Sequence, residues 1–431
     1  RMDCWDQHDK GDVMVTPPPL KNDCFALPPG VDWTPVDDAL AQLKSALRCV
    51  VSTETVDISE ARDLFVAQDV IAPRASPPKA NSAVDGYGFA GSLANEEEVI
   101  RLALHPERAA AGVPMQSAVA EGQAVRILTG AQLPEGVDTV VLQEDVATDG
   151  QEVVFHGPLK LGANTRKAGE DVQPANVMLT TGQRLRATDL SLAASVGISQ
   201  IECFRRLRIG VLSTGDEVCD VTQSAAPHQI YDANRPMLLS LIAAWGFVAV
   251  DLGHVNDDRD QLRERLDHAQ ENVDVLLTSG GASAGDEDHL SALLSETGSI
   301  EFWRIAVKPG RPLAMGMWGA MPIFGLPGNP VAAATCAMIF ARPSFNVLAG
   351  GHWMMPQSYW VKASFEKRKK PGRREYLRAR LIGDQVEVFK SEGSGRISGL
   401  SWANGFVELP DHAVTITHGD LVKFIPFDSF N

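Results

Sequence analysis

Between residues 207 and 341, strand-like apolar runs alternate with helix-length segments, and this rhythm constrains the possible fold more than any other feature. Alternation of this kind is typical of a largely parallel sheet that is covered by helices on both faces. We therefore predict a three-layer α/β domain, with a further helix after Gly285. The predicted strands are 207–212, 247–252, 273–278 and 321–324, and the predicted helices are 237–245, 260–269 and 331–340.

The flanking segments follow a different pattern, in which short apolar runs are separated by Gly, Pro and Asp turns and predict short β-strands. Helices are predicted after Thr34, whose side chain can cap a helix, and over 188–196. The chain is thus predicted to be multidomain, α/β plus β. Its predicted parts are a leader (1–31), a partly helical first domain (32–76 and 172–206), an inserted β domain (77–171), the α/β domain (207–346) and a C-terminal β domain (347–431).

Net charge, the length of the apolar runs and the cysteine spacing indicate which partners and which cellular compartment to expect. Among 431 residues, acidic residues outnumber basic ones 55 to 39, and the formal net charge is −16. Because phosphate contacts need clustered Lys and Arg, we expect no nucleic-acid partner. The longest apolar runs are about half as long as a bilayer span, and we expect no membrane span. Six cysteines without metal-ligand spacing indicate free thiols and a cytoplasmic protein.

Three Gly-rich loops lie at the carboxyl ends of predicted parallel strands, where ligands of open α/β sheets bind. They cover residues 213–217, 278–286 and 325–330. Glycine lets the backbone approach a ligand closely, and Ser and Thr hydroxyls add donors. Each loop alone could be a tight connection, but three together predict a phosphate or oxyanion cradle. The predicted substrate-binding residues of these loops are Ser213, Thr214, Gly215, Ser279, Gly280, Gly281, Ser283, Gly285, Gly328 and Asn329.

Three carboxylates, Glu217, Asp257 and Asp288, follow strands of the same predicted sheet. Acids beside an anion cradle would repel the anion unless a hard cation bridges them to its oxygens. The three residues are therefore predicted to bind Mg²⁺. The alternative is that each caps or begins a helix, and this alternative is strongest for Asp257.

Two further segments concentrate positive charge. Lys308 and Arg311 lie on a proline-stiffened loop, 308–312, which suits recognition of a small multivalent anion. The alternative is that this loop only connects two β-strands and that water solvates its charges. Residues 367–374 hold six basic residues in eight positions. A solvated β-turn is the favoured interpretation of that run, and a patch for a phosphate or an acidic partner is the other.

Together, these segments resemble the molybdopterin molybdenumtransferase family, which includes bacterial MoeA and the E domain of gephyrin. The resemblance runs from about residue 32 to the C-terminus. Residues 82–87 are similar to the family's S-x-M-D-G-Y segment, with Val84 in place of the usual Met. Residues 126–138 are similar to its R-I-x-T-G-A-x-x-P-x-G-x-D segment. Further similar segments are 164–171, 213–217, 278–288, 308–312, 326–330, 374–378 and 393–395.

The resemblance implies an enzyme with a MogA-like α/β domain that takes adenylated molybdopterin and molybdate, uses Mg²⁺ and releases AMP as it inserts molybdenum into the pterin. It implies a homodimer whose site combines the α/β domain of one subunit with the first two domains of the other. It assigns catalytic roles to Asp85, Thr129, Glu217, Asp257 and Asp288. It also assigns binding roles to Lys308 and Arg311, which face the oxyanion, to Pro327 and Pro330 at the pocket floor, and to Ser394.

Two other functions stay open at this stage. One is molybdopterin adenylyltransferase, since that family shares the α/β fold and the Gly-rich loop, although the additional domains argue against it. The other is a scaffold or anchoring protein, in which the C-terminal β domain binds a peptide and the pocket is vestigial. The implied protein partners are molybdopterin adenylyltransferase and cofactor-accepting enzymes.

Overall fold

The computed structural model describes residues 33–94, 98–280, 289–296, 300–310 and 312–431. The predicted leader, residues 1–31, lies outside these ranges.

A six-stranded sheet forms the centre of the predicted α/β domain. Four of its strands are parallel, as the alternating pattern predicts, and two antiparallel strands, which the pattern did not reveal, extend one edge. In spatial order the strands are Val248–Val255, Arg208–Thr214, Val275–Ser279, Met321–Leu326, Pro312–Trp318 and Ile300–Arg304. The helices of this region are Asn234–Ala244, Arg259–Asn272, His289–Glu296 and Pro330–Leu348. A small parallel pair joins Val218–Cys219 to Ile230–Tyr231.

Alternation along the buried strands explains the three layers. Val211 and Leu277 point to one face of the sheet and pack in a cluster that includes Phe345 of helix Pro330–Leu348. Their neighbours Leu212 and Leu276 point to the other face, in a cluster with residues of helix Arg259–Asn272. Because successive strand side chains face opposite ways, a parallel sheet with helices on both sides needs apolar residues at nearly every position.

Helix Pro330–Leu348 is, among the described residues, the one helix long and apolar enough to cross a membrane. It has 19 residues, and 94% of its most apolar window is buried inside the protein. Its apolar character is therefore accounted for by packing in the core of the α/β region.

The partly helical region contains a three-stranded sheet, a two-stranded pair and two helices. Helix Val36–Ala46 begins two residues after Thr34, which forms a bridge to Ile305. No side chain caps the helix, so the predicted cap is wrong. The helix packs Leu40 and Leu43 into the same cluster as the α/β sheet. The remaining elements are strands Thr53–Asp57, Gln200–Phe204, Phe65–Val66, Val70–Ile71 and Val177–Leu179, and helix Ala187–Ser195.

The predicted inserted β region forms a second six-stranded sheet, which is antiparallel except for one parallel pair. Its strands are, in spatial order, Thr139–Leu142, Gly86–Phe89, Gln123–Ile127, Val99–Ala109, Glu152–His156 and Ala147–Thr148. The pair Asn81–Ser82 and Thr165–Arg166 and the short helices Gly91–Ala94 and Gln143–Asp145 complete it.

The C-terminal region is a closed five-stranded barrel. Its strands follow the order Arg374–Ile382, Gln385–Val388, Tyr359–Ala363, Leu421–Pro426 and Gly405–Leu409, and the last pairs with the first. A further strand, Val307–Lys308, runs parallel to Arg374–Ile382 and thereby fixes the start of the predicted cationic loop to the barrel. The pair Lys367–Lys369 and Val414–Ile416, the helix Ser398–Trp402 and the turn Phe427–Phe430 complete the region.

Candidate active site

The strands Arg208–Thr214, Val275–Ser279 and Met321–Leu326 are neighbours in the sheet, so their carboxyl ends, where the three predicted loops begin, lie side by side. The Asn234 side-chain amide lies between two of them and donates to Ser279 Oγ and to the Gly328 carbonyl, each at 2.7 Å. Close by in the sheet are three buried hydroxyls, those of Ser213, Thr214 and Thr278, and none of them has a hydrogen-bond partner among the described residues. A buried hydroxyl without a partner costs free energy, and it is satisfied when a ligand supplies oxygen atoms.

Gly280 shows why a small residue is needed at this point. Its φ of +92° is in the region that favours glycine. A Cβ there would lie 2.8 Å from the Thr214 carbonyl oxygen and 2.9 Å from its hydroxyl. The backbone of Gly280 therefore passes directly beside the strand end that carries two of the unpaired hydroxyls.

Glu217 and Asp257 lie on neighbouring loops that are tied together through Asp216. The Asp257 backbone N–H donates to the Asp216 carboxylate at 3.0 Å, and the Asp216 N–H donates to the Asp257 carboxylate at 3.4 Å. Asp258, not Asp257, caps helix Arg259–Asn272 by accepting from the Gln261 N–H. The helix-cap alternative for Asp257 is therefore wrong, and its carboxylate remains exposed, as that of Glu217 does.

The donor set fits Mg²⁺, which takes oxygen ligands, keeps several waters and is bound by one or two carboxylates together with substrate phosphates. Glu217 and Asp257 supply two such exposed carboxylates. In the described part of the chain, no group of three or more His, Cys, Asp or Glu residues is arranged to hold a metal ion. Asp288, the third predicted ligand, lies outside the described residues.

A cavity of about 460 Å³ opens between the α/β sheet and the barrel. Four predicted binding residues line it, Lys308, Pro327, Asn329 and Ser394. The Ser394 loop is held against the start of helix Pro330–Leu348, where the Val331 N–H donates to the Ser394 carbonyl at 3.2 Å. Pro330 is the first residue of that helix. The cavity thus joins the third Gly-rich loop, the cationic loop and the C-terminal loop.

Lys308 is placed by two different contacts. Its strand pairs with the barrel, and the following Gly310 packs on helix Pro330–Leu348, where a Cβ would lie 3.2 Å from Cys336 Sγ. Cys336 is buried, as its position on an apolar helical face predicts, and burial raises the pKa of its thiol to about 12. Arg311, the second predicted cation, lies outside the described residues, as do Gly281, Ser283 and Gly285.

Asp85 and Thr129 form a pair beside the ends of two strands of the inserted sheet, Gly86–Phe89 and Gln123–Ile127, and neither residue lines this cavity. The Thr129 backbone N–H and hydroxyl both donate to one Asp85 oxygen, each at 2.7 Å. These two bonds hold the pKa of the Asp85 carboxyl below its ordinary value. Arg126 stacks over the Tyr87 ring at 5.1 Å, beside the pair. Asp85 is therefore an oriented carboxylate that keeps its charge.

The basic run 367–374 is the solvated connection that the sequence favours only at residues 370–372, which are exposed. Lys367–Lys369 forms a strand, and Lys369 is 3% exposed. Its ammonium donates to the carbonyls of Lys370 at 2.8 Å and His412 at 3.3 Å. These acceptors allow the amine to be buried, and a distant partner such as the His412 carbonyl leaves no signal in the local sequence.

Two functional candidates escaped the sequence analysis, Arg378 and Glu392. Arg378 is buried and donates to the carbonyls of Arg396 at 2.6 Å and Gly393 at 3.2 Å, and it also contacts the Ser391 carbonyl. It thereby fixes the loop that carries Glu392 and Ser394. The sequence signal that could have pointed to these two residues is the resemblance of segments 374–378 and 393–395 to family segments. That resemblance does not reveal that the two segments are in contact.

Comparison with known proteins identifies the class of protein that this fold and cavity define. Residues 34–197 match the family model of the MoeA N-terminal region (domain I and II). Residues 210–346 match that of a "Probable molybdopterin binding domain". Residues 361–427 match the MoeA C-terminal region (domain IV). These matches define a multidomain protein of the MoeA type.

Relatives of known name give the family. The chain is 34% identical to molybdopterin molybdenumtransferase of Haemophilus influenzae over 400 residues, which cover 91% of this chain and 98% of that one. It is 29% identical to the Bacillus subtilis protein of the same name over 87% of this chain and 90% of that one. A solved MoeA structure from Pyrococcus horikoshii superposes with a TM-score of 0.77 at 28% identity, covering 92% and 99% of the two chains. The chain belongs to the molybdopterin molybdenumtransferase family.

Proposed function

We propose that this protein inserts molybdenum from molybdate into adenylated molybdopterin and releases AMP. The cavity lined by Lys308, Pro327, Asn329 and Ser394 is the observation that carries the proposal, because it adjoins the Gly-rich cradle on the same sheet edge. The relatives named molybdopterin molybdenumtransferase support it.

The chemistry of the two substrates fits the two parts of the site. Adenylated molybdopterin contains a phosphoanhydride, and the unpaired hydroxyls of Ser213, Thr214 and Thr278 offer donors to such oxygens. Molybdate is a small, doubly charged oxyanion, and Lys308 offers it a cation on a fixed loop. We expect positioning and electrostatic stabilisation to dominate catalysis, with AMP as the leaving group when the anhydride bond breaks.

Glu217 and Asp257, with Asp288 as a third predicted carboxylate, are the residues that would hold Mg²⁺. When bound, the ion would polarise the phosphoryl oxygens of the anhydride and offset the charge that develops on the leaving phosphate. The reciprocal hydrogen bonds between Asp216 and Asp257 hold the two acidic loops next to each other, which would allow both to contribute carboxylates to one ion.

The direct experiment measures AMP release from adenylated molybdopterin and Mg²⁺, with and without molybdate. We expect release that requires molybdate, and a loss of about 100-fold or more in Glu217→Ala, the scale of removing an electrostatic group from an active site. Asp260→Ala, in the first turn of helix Arg259–Asn272, is the matched control and should retain activity. Ligand binding without AMP release would contradict the proposal and favour a scaffold. Adenylated molybdopterin and pyrophosphate formed from ATP and free molybdopterin would indicate the adenylyltransferase.

We propose a homodimer in which Asp85 and Thr129 of one subunit complete the α/β site of the other. Neither Asp85 nor Thr129 lines the cavity of its own chain, and this supports the proposal. Mixing Asp85→Ala chains with Glu217→Ala chains should restore activity, because hybrid dimers hold one site with both residues intact. Hybrids as inactive as the two parent variants would show that each chain builds its own site.

Three further assignments accompany the proposed function. The predicted domain division at residues 76, 171, 206 and 346 stays a proposal, and strand Val307–Lys308 crosses it by pairing with the barrel. A cytoplasmic location suits an enzyme whose described cysteines are free thiols. Molybdopterin adenylyltransferase, which would supply the substrate, and cofactor-accepting enzymes are the proposed protein partners. Co-purification from cells with either class of enzyme tests the last assignment.

A further inference from the structure

Four side chains of alternating charge close a ring beside the cavity. Lys308 Nζ lies 2.6 Å from a Glu392 oxygen and 3.4 Å from a Glu375 oxygen. Lys367 Nζ lies 3.2 Å from the other Glu375 oxygen and also contacts the second Glu392 oxygen. We call these four residues the lysine–glutamate ring. Each carboxylate is therefore shared between the same two ammonium groups.

The two sides of the ring differ in their freedom to move. The side chains of Lys367 and Glu375 are 12% and 11% exposed and lie on strands packed in the barrel. The Glu392 side chain is 46% exposed, and both Glu392 and Lys308 line the cavity. Because an exposed carboxylate can be hydrated, the Lys308–Glu392 contact is the one that can open at low cost.

Glu392 is charged in this setting. Burial raises the pKa of its carboxyl, but hydrogen bonds from Lys308 and Lys367 outweigh burial and hold the pKa below its ordinary value. Burial likewise lowers the pKa of Lys367, but the bonds to Glu392 and the charge of Glu375 outweigh it and raise the pKa. A carboxylate that leaves Lys308 therefore still has a charged partner in Lys367.

The position of Glu392 is set by the backbone of its loop. Arg378 binds the carbonyls on both sides of it, those of Ser391 and Gly393. The carboxylate is thus presented to Lys308 by a fixed loop, at the wall of the cavity where molybdate is proposed to bind.

We propose that Glu392 is an internal competitor for Lys308, which an entering oxyanion displaces and which recaptures Lys308 when molybdenum moves on to the pterin. This inference rests on the proposed function. In the anion-free protein the Glu392 carboxylate is paired with the Lys308 ammonium, to which molybdate is proposed to bind. Molybdate binding therefore replaces the Lys308–Glu392 ion pair with a Lys308–molybdate ion pair. Exchange keeps molybdate from being held too firmly to be transferred, since the released lysine regains a partner.

The sign of a single mutational effect separates this role from a structural one. If Glu392 only held Lys308 in place, its loss would weaken anion binding. A competitor has the opposite effect, because its loss frees Lys308 and removes a negative charge from the cavity wall. The gain should be larger for a doubly charged anion than for a singly charged one, since repulsion scales with charge.

The experiment titrates the full chain with molybdate and with perrhenate, a singly charged tetrahedral oxyanion, by calorimetry. In Glu392→Gln we expect molybdate to bind about fivefold more tightly, the scale of one half-exposed ion pair, with a smaller gain for perrhenate. Glu408→Gln is the matched control, because Glu408 pairs with Lys423 elsewhere on the barrel, and its molybdate affinity should match the wild type. Thermal unfolding of each variant reports that it is folded.

Unchanged or weaker molybdate binding in Glu392→Gln would overturn the inference, as would an equal gain for both anions. Failure of the proposed function is a different result, namely wild-type protein that releases no AMP in response to molybdate. The calorimetric comparison needs no pterin and remains informative in either case.

Discussion

At the residue scale, the candidate site is defined by polar groups that the fold leaves incomplete or holds in fixed orientation. Within the part of the chain that the structure describes, the buried hydroxyls of Ser213, Thr214 and Thr278 have no hydrogen-bond partner, and neither does the side-chain amide oxygen of Asn234. Folded proteins satisfy most such groups internally. Four of them at one edge of a sheet point to a polar ligand at that edge. Asp85 shows the second pattern, a carboxylate held by two donors from one residue.

Thr129→Val tests the control of Asp85. The substitution removes the hydroxyl but keeps the backbone N–H, so we expect the pKa of Asp85 to rise part of the way toward its ordinary value. The measurement is a carboxyl-carbon NMR titration of the labelled protein. Thr129→Ser keeps the hydroxyl and should keep the wild-type pKa. An identical Asp85 pKa in wild type and Thr129→Val would show that the hydroxyl contributes nothing.

Gly310→Ala tests the packing of the cationic loop. Gly310 has a φ of +113°, and a Cβ would meet Cys336 Sγ at 3.2 Å. We expect a loss of more than about 1 kcal/mol in the free energy of unfolding and weaker molybdate binding, because Lys308 must shift. Gly419→Ala shares a positive φ of +92° but meets open space. Denaturant unfolding should show a smaller loss of unfolding free energy in Gly419→Ala than in Gly310→Ala. Molybdate titration of Gly419→Ala should show the wild-type affinity.

At the scale of elements, short strands and buried arginines bring the loops of the site together. The strand Val307–Lys308 joins the α/β region to the barrel, and Arg378 ties the loop of Glu392 and Ser394 to the barrel wall. An arginine presents several donors in a rigid fork, whereas a lysine presents one ammonium on a flexible chain. The conformation of the Glu392–Ser394 loop therefore depends on the shape of the Arg378 guanidinium as well as on its charge.

Arg378→Lys should separate loop geometry from charge. The variant keeps the charge but cannot reach the three carbonyls, so we expect the KM for molybdate to rise about tenfold, the effect of losing hydrogen bonds from a charged group. The measurement is steady-state AMP release at varied molybdate. Arg380→Lys, on the exposed face of the same strand, is the control and should behave as wild type. Equal KM values in the two variants would contradict the role of Arg378.

The elements also show what the sequence could predict. Strands such as Val275–Ser279 and helices such as Arg259–Asn272 followed from apolar runs and periodicity, which are local. The antiparallel strand Pro312–Trp318, which lies between Met321–Leu326 and the edge strand Ile300–Arg304, was not predicted, and its first residue was placed in the Lys308–Pro312 loop. The roles of Arg378 and Lys369 were missed for another reason, since the carbonyls that Arg378 binds, and the His412 carbonyl that Lys369 binds, are distant in sequence. Loop positions at strand ends were predictable, and the contacts between loops were not.

At the scale of the whole molecule, one ion-pair network links the first helix to the barrel. Arg374 donates to both oxygens of Asp37, at 2.7 and 2.8 Å, and to Asp411 at 2.8 Å. The hydrogen bond from Arg374 is the largest influence on Asp37 and holds its pKa below the ordinary value. Because the Asp37 side chain is 73% exposed, solvent screens the pair.

The acid stability of the chain should reflect this network. A depressed pKa contributes stability that is present above the unfolded-state pKa, about 3.9, and is lost as pH falls through the lower folded-state pKa. We therefore expect Asp37→Asn to be less stable than wild type by up to about 1 kcal/mol at pH 6, with the difference shrinking as pH falls below about 3.9. Urea unfolding from pH 6 into the acid range measures it. A difference that does not shrink with falling pH would assign the effect to packing.

The central claim is that molybdate occupies the cavity between the α/β sheet and the barrel. Anomalous diffraction at the molybdenum edge, from crystals soaked in molybdate, tests this most directly. The predicted result is a peak in the cavity within contact of Lys308 and beside Ser394, with Glu392 no longer on Lys308. The contrary result is an empty cavity and a molybdenum peak elsewhere, for example at the Asp85–Thr129 pair. It would show that molybdate does not bind between the α/β sheet and the barrel.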